Sequence, residues 1–351
     1  MRREALCRPY RPDPIRSGGS STLALRNMDA QRNTIVVSSA DRRYVRPLAV
    51  TLVSLFAHLD KTRQLVVHVI DRGVPDEDKE LIARSLDHGS ASISWHSPDR
   101  HQLVGVPLWG RMSLSVYDKL LIADLPLPDV DQVLWIDSDT LVLADVAPLW
   151  DRGTGRHPVL AVQDVLVPFV SSQFGVARYR DLGLRPDAKY FNAGVILVNL
   201  AQWREERVSE RALDYVKRYA NDVSFWDQEG LNAVLCGRWG ELDPVWNWTV
   251  SFERADDDHV AHGAAKIIHF NGNLKPWTYD RGDAHYRAYY QYVDRTSWPG
   301  WRPSRTWWSA AFRTYERTAL RGALLPIEHA GTSVLRGLTR KVVTVEDVET
   351  S

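Results

Sequence analysis

Val133-Leu134-Trp135-Ile136-Asp137-Ser138-Asp139-Thr140-Leu141-Val142 is the stretch whose reading decides the fold. Four apolar residues rich in β-formers predict a buried strand. Two carboxylates, one residue apart, stand at its carboxyl end, where open α/β sheets bind their ligands. Carboxylates this close repel each other unless a cation joins them. A hard divalent ion, Mn²⁺ or Mg²⁺, suits such oxygen ligands and can carry phosphates at the same time. The other reading of Asp137-Ser138-Asp139 is a plain turn, because Asp and Ser bond to their own backbone. The three residues alone leave both open.

Working outward, Thr34–Ser39 predicts a first strand and Leu48–Leu59 a helix, from its apolar spacing. Leu65–Ile70 is a second strand ending at Asp71, and a second helix begins at Pro75, a residue well tolerated at helix starts. Ala91–Trp95 is a third strand, and 113–124 a helix leading into the central strand. Beyond it come strands at Val159–Asp164 and at Tyr190–Asn199, the latter opened by an Asn192-Ala193-Gly194 bend. Helical patterns fill 207–220 and 227–236, and Lys266–Phe270 is a late strand. Strands alternating with helices predict an α/β fold with a mostly parallel sheet.

A chain of 351 residues can bury a large core. Residues 1–30, rich in Arg, Pro, Gly and Ser, read as a flexible leader, 31–294 as the catalytic domain and 295–351 as a basic, aromatic tail. Basic and acidic residues number 44 each, so 44 − 44 gives no net charge, which argues against nucleic acid as a partner. Cys7 and Cys236 form neither a disulfide framework nor a metal knuckle, which fits a reducing, cytoplasmic setting. The sequence shows no run long enough to span a membrane and no apolar signal-peptide core.

The first strand runs into Ser38-Ser39-Ala40-Asp41-Arg42-Arg43-Tyr44 rather than G-x-G-x-x-G, which counts against a nicotinamide dehydrogenase. Asp41 and Tyr44 can hold a nucleotide by carboxylate and ring; otherwise Asp41 caps the next helix. His269 opens H-x-x-G-x-x-K-P-W, ending at Trp277. Its imidazole can complete an ion's shell, Gly272 lets the backbone approach a phosphate, and Lys275 can neutralise that phosphate. Asn192-Ala193 and Asp227-Gln228 supply groups that read sugar hydroxyls; the plainer alternatives are a turn amide and a helix start.

With these motifs in this order, the chain from about Thr34 to Trp277 resembles the retaining glycosyltransferases of family 8, which include lipopolysaccharide galactosyl- and glucosyltransferases and the glycogenins. The resemblance implies a Rossmann-like GT-A fold, a mixed and mostly parallel sheet flanked by helices, and a UDP-sugar donor. It implies Mn²⁺ (or Mg²⁺) on Asp137, Asp139 and His269. It places Ala40, Asp41 and Tyr44 on the uridine, Lys119 and Ser138 beside the donor, Asp164, Asn192 and Ala193 around the sugar, and Gly272 and Lys275 on the diphosphate. Asp227 and Gln228 fall at the catalytic positions, with Gln228 near the β-face of the sugar. Arg42-Arg43 depart from the smaller polar residues common in relatives.

Two other readings compete with this one. A strand ending D-x-D-T also suits a haloacid-dehalogenase-type phosphatase with Asp137 as nucleophile and Asp256-Asp257-Asp258 as a second acidic cluster. That motif ordinarily opens the first strand of its domain, and H-x-x-G-x-x-K-P-W would then have no role. A non-catalytic sugar-nucleotide-binding protein would not need all of Asp137, Asp139, His269 and Lys275. In the tail, Arg295–Arg321 holds six arginines against one acid, Glu316, interleaved with Trp298, Trp301, Trp307, Trp308, Phe312 and Tyr315. A helical pattern from Ser304 to Leu320 suits a segment lying on anionic lipid, so residues 296–341 are expected to bring a lipid-linked acceptor to the site from the inner membrane face. The alternative is a helix packed back on the catalytic domain.

Overall fold

A computed structural model of the chain describes residues 33–86, 89–109, 112–127, 130–250, 264–271, 275–280, 282–304 and 340–349. The strands are β1 (Asn33–Asp41), β2 (Gln64–Arg72), β3 (Ala91–His96), β4 (Pro107–Leu108), β5 (Gln132–Ile136), β6 (Thr140–Val142), β7 (Val159–Gln163), β8 (Phe191–Asn199), β9 (Gly240–Glu241), β10 (Trp248–Thr249), β11 (Ile267–His269) and β12 (Lys341–Val342). The helices are α1 (Val45–His58), α2 (Asp76–Ser85), α3 (Ala147–Arg152), α4 (Leu200–Glu205), α5 (Val208–Arg218), α6 (Trp226–Leu235), α7 (Ala284–Val293) and α8 (Val345–Glu349).

Among the described residues the main sheet has seven strands in the order β3-β2-β1-β5-β8-β7-β9. The pairs β1–β2, β2–β3, β1–β5 and β7–β9 are parallel, and β8 runs antiparallel to both β5 and β7. Successive residues of a strand point to opposite faces, and β5 feeds both. Leu134 and Ile136 join the core under α1 and α7, while Val133 and Trp135 join the core against α5 and α6. A sheet buried on both faces needs the nearly continuous apolar strands that this sequence supplies.

The central strand does not run on through its two carboxylates. After Asp137-Ser138-Asp139 the chain leaves the main sheet, and β6 enters a second one ordered β10-β11-β6, where Thr140 faces His269 across an antiparallel ladder. Helix α1 fastens this corner: Thr51 Oγ1 donates to the carbonyls of Ser138 (3.1 Å) and Thr140 (2.8 Å), and Ser54 Oγ accepts from Val142 N (3.0 Å).

Two expectations change in detail. The helix over 113–124 winds as a 3₁₀ helix, Leu114–Asp124, whose buried Leu114, Tyr117 and Leu120 recur at its three-residue period. The Asn-Ala-Gly bend lies within β8 as a bulge rather than ahead of it, because the register passes from Ala161↔Ile196 to Val162↔Asn192. In the tail, Trp298 and Trp301 pack on the core, Arg302 pairs with Asp294 (2.8 Å), and β12 pairs with β4. Most of the helix expected at Ser304–Leu320, and all of Asp256-Asp257-Asp258, lie outside the described residues.

Candidate active site

The parallel register of β1 and β5 brings their carboxyl ends side by side, with Val36 beside Leu134 and Val37 beside Trp135. Ala40, almost fully buried, and Asp41 therefore finish next to the Asp137-Ser138-Asp139 corner. Asp41 folds onto its own turn, accepting from Arg43 N (2.8 Å) and Tyr44 N (3.2 Å), and the Arg43 guanidinium closes on its other oxygen (3.1 Å). The Tyr44 ring stands edge-on to Trp277, centroids 5.4 Å apart. Burial raises the Tyr44 hydroxyl above its ordinary value, so it is a neutral hydrogen-bonding group.

At the corner, His269 Nε2 lies 3.3 Å from Asp139 Oδ1 and 4.0 Å from Asp137 Oδ2. One ligand atom from each of the three residues falls within 4.8 Å of the others. Asp137 Oδ1 accepts from Trp135 Nε1 (2.6 Å), and its backbone N donates to Gly194 O (2.8 Å). Lys275 Nζ donates to Asp139 Oδ2 (2.5 Å) and to Phe270 O (2.6 Å). Burial alone would raise Asp139, but the Lys275 ammonium beside it outweighs burial and holds its carboxyl well below the usual range. Two carboxylates and an imidazole converging on one point are a donor set that suits Mn²⁺ and also accepts Mg²⁺. The residues present fit a divalent ion.

Lys119 is nearly buried, between Asp227 Oδ2 (2.8 Å) and Asp137 Oδ1 (3.3 Å) and over the Trp135 ring. Burial works against its ammonium, yet the two carboxylates outweigh it and raise the lysine above its ordinary value. Burial likewise pushes Asp227 up, opposed by Lys119. Asp227 and Gln228 sit in the first turn of α6, held there by the buried Glu229 carboxylate, which accepts from Ser224 N (2.5 Å) and Ala177 N (2.9 Å). Just before them Trp226 adopts φ 37, a conformation worth about 1–3 kcal/mol of strain for a bulky residue, and stacks on Trp109 at 4.6 Å.

A chain of amides links this turn to the Asp137-Ser138-Asp139 corner. Gln228 Nε2 (3.1 Å) and Asn192 Nδ2 (2.9 Å) both donate to Asp164 Oδ2. Ala193 N donates to Gln228 Oε1 (3.0 Å) and Gly194 N to Asn192 Oδ1 (2.9 Å). Asn247 Nδ2 donates to Asn192 Oδ1 (2.8 Å), and Asn247 Oδ1 meets His269 Nδ1 at 3.0 Å. Gly194 is required at this point, since an added Cβ would overlap the Cε1 and Nδ1 atoms of His269.

The structure thus gathers Ala40, Asp41, Tyr44, Lys119, Asp137, Ser138, Asp139, Asp164, Asn192, Ala193, Asp227, Gln228, His269 and Lys275 along the carboxyl ends of β1, β5 and β7 and the bulge of β8. Gly272 lies outside the described residues. Sequence reasoning passed over Asn247 and the indole of Trp135. A signal for the first was there: one amide between Trp246 and Trp248, in an otherwise apolar run, has to find buried partners.

A family model described as glycosyl transferase family 8 matches residues 35–281. The chain is 28% identical to General stress protein A of Bacillus subtilis (strain 168), over 75% of this chain and 94% of that one. It is 24% identical to lipopolysaccharide 1,2-glucosyltransferase of Escherichia coli (strain K12), over 72% of this chain and 75% of that one. The solved galactosyltransferase LgtC, in complex with donor and acceptor sugar analogs, superposes with a TM-score of 0.64 at 25% identity, covering 75% of this chain and 96% of that one. The chain belongs to glycosyl transferase family 8 and is a hexosyltransferase with the GT-A fold.

Proposed function

We propose that the enzyme moves a hexose, glucose or galactose, from a UDP-sugar to a glycan or lipid-linked acceptor with retention, giving an α-linkage. The observation that carries this reading is the convergence of Asp137, Asp139 and His269 between two lysines, the buried Lys119 and the part-buried Lys275. In this reading the three residues hold Mn²⁺ or Mg²⁺, which when bound supplies a Lewis acid for the diphosphate. Lys275 and Gly272 take the diphosphate, with the Lys275 ammonium turning from Asp139 to the leaving group. Ala40, Asp41 and Tyr44 take the uridine. Asp164, Asn192 and Ala193 hold the sugar beside Ser138 and Lys119.

Gln228 offers only an amide, and that amide is tied to Asp164 and Ala193 N, so it is a poor nucleophile. Same-face attack follows. The bond from the anomeric carbon to the phosphate oxygen breaks, and UDP leaves with the electron pair. The acceptor oxygen bonds to the same face, and its proton passes to the departing phosphate. Gln228 then shields and orients the positive centre, and Asp227 holds Lys119 charged on the donor side, where negative charge develops on the departing UDP. The phosphatase reading is not favoured, since the family model that matches residues 35–281 is that of a glycosyl transferase.

Incubation with a panel of UDP-hexoses and glycan acceptors tests the assignment. An α-configured product, read from the anomeric NMR coupling, is expected. A β-linked product, or a phosphorylated Asp137 trapped from a phosphomonoester, would overturn it. Attachment to the inner membrane face through residues 296–341 is supported by composition alone. Replacing Trp307, Trp308 and Phe312 should lower sedimentation with anionic liposomes, and unchanged sedimentation would overturn the attachment. Among the described residues no helix is long and apolar enough to cross a membrane.

A further inference from the structure

We infer that Asn247 is a positioning residue that sets the tautomer of His269, turning a bare ring nitrogen toward the two carboxylates; the inference rests on the metal reading of the site above. The assignment begins at the β8 bulge. A backbone N–H can only donate, so Ala193 N and Gly194 N fix the atoms they meet as the oxygens of Gln228 and Asn192. The nitrogens of both amides must then point the other way, and both reach Asp164 Oδ2. The second Asp164 oxygen is taken by Leu166 N (2.8 Å) and Val167 N (2.9 Å).

Asn192 Oδ1 also faces the Asn247 amide, which must present its nitrogen there (2.8 Å). That leaves Asn247 Oδ1 opposite His269 Nδ1 (3.0 Å), and an oxygen without a proton requires the ring to donate. When the ring carries a single proton, that proton therefore sits on Nδ1, and Nε2 directs its lone pair at Asp139 and Asp137. Three acceptors then face one another across 4.8 Å or less, an arrangement that a cation satisfies. The opposite tautomer would close the corner on itself with an Nε2–H bond to Asp139.

Backbone pairing holds Asn247 in place. It ends the 3₁₀ turn Pro244–Asn247, which Asp243 caps by accepting from Val245 N (3.0 Å). Directly after it β10 pairs with β11, with Thr249 beside His269. Both Asn247 and Asn192 are buried, so water does not stand in for either amide. Partners that orient a ligating histidine typically change metal affinity 10- to 100-fold when removed.

The test uses the full-length chain without metal, followed to alkaline pH so that the ring carries a single proton. Proton–nitrogen NMR of the imidazoles, assigned with His269→Gln, should show His269 protonated on Nδ1 and bare on Nε2. Mn²⁺ alone is then titrated, its free form read by electron paramagnetic resonance. Asn247→Leu should mix the tautomers and weaken Mn²⁺ binding about 10- to 100-fold. Asn247→Asp keeps an acceptor opposite Nδ1, although it sets an oxygen against Asn192 Oδ1, so it should keep the proton on Nδ1 whatever it does to stability. A proton found on Nε2 in the unsubstituted chain overturns the inference, as does a folded Asn247→Leu chain that binds Mn²⁺ undiminished. If Asn247→Leu fails to fold, the unsubstituted spectrum and Asn247→Asp still decide. An Nδ1 proton in a chain that binds no Mn²⁺ would sink the metal reading and leave the tautomer standing.

Discussion

Asp41 and Asp139 are both carboxylates at strand ends on the same rim of the sheet, and they are held in opposite ways. Asp41 takes its short bonds from Arg43 and Tyr44, two and three residues on, with Ser113 Oγ a longer 3.4 Å away, and stands in a half of the sheet made of adjacent parallel strands. Asp139 is bonded by Lys275, 136 residues away, and faces His269 across a second sheet. Residues near in sequence are joined by turn chemistry, which tolerates substitution. Residues brought together only by the finished fold depend on every element between them. Substitutions should therefore weigh more on the Asp139 side than on the Asp41 side.

The largest effect belongs to Asp139. Asp139→Asn leaves Lys275 without its carboxylate partner and removes a charged ligand, so turnover should fall about 10²- to 10³-fold with the fold retained by circular dichroism. Gly194→Ala comes next. Its Cβ must displace the His269 ring, with a stability loss of about 1–3 kcal/mol in urea unfolding and weaker Mn²⁺ binding. Asp41→Ala removes a local turn and one long contact from Ser113 and should lose about 1 kcal/mol, with a raised KM for the donor and little change in kcat. Equal losses of turnover for Asp41→Ala and Asp139→Asn would break the comparison.

The smallest effect sharpens it within the parallel half. His68 Nδ1 lies 2.8 Å from His96 Nε2. Burial, and after it the neighbouring His96, depresses His68 from 6.5 to about 4. An unfolded histidine takes its proton near 6.5, so the stability this group contributes is present above that pH. It is lost as pH falls from 6.5 toward about 4. His68→Phe should reduce the fall in melting temperature over that window by about 2–4 °C, read as the difference between the two chains. A parallel pair of curves would show that His68 does not titrate with folding.

The same division separates what was legible in the residues from what was not. Strands β1, β2, β5 and β8 announce themselves, because a sheet covered on both faces forces continuous apolar runs such as Val133–Ile136 and Val195–Val198. The motif residues Asp137, Asp139, His269 and Lys275 were legible through their types and order. The departure of Thr140–Val142 into a second sheet was not, since three buried residues read alike in either sheet. Nor was the 3₁₀ winding of Leu114–Asp124, because apolar residues three apart also suit an α-helix. Asn247 and the bulge at Ala193-Gly194 gain their meaning from partners across the fold, and one position's chemistry does not name a distant partner.

The most direct measurement follows UDP release from UDP-glucose and UDP-galactose by the full chain, with Mn²⁺ and again with excess EDTA. Release that requires the ion, returns when Mn²⁺ or Mg²⁺ is restored, and disappears in Asp139→Asn is the predicted result. Undiminished release in EDTA, with Asp139→Asn as active as the unsubstituted chain, would contradict the assignment of Asp137, Asp139 and His269 as a metal site that serves transfer.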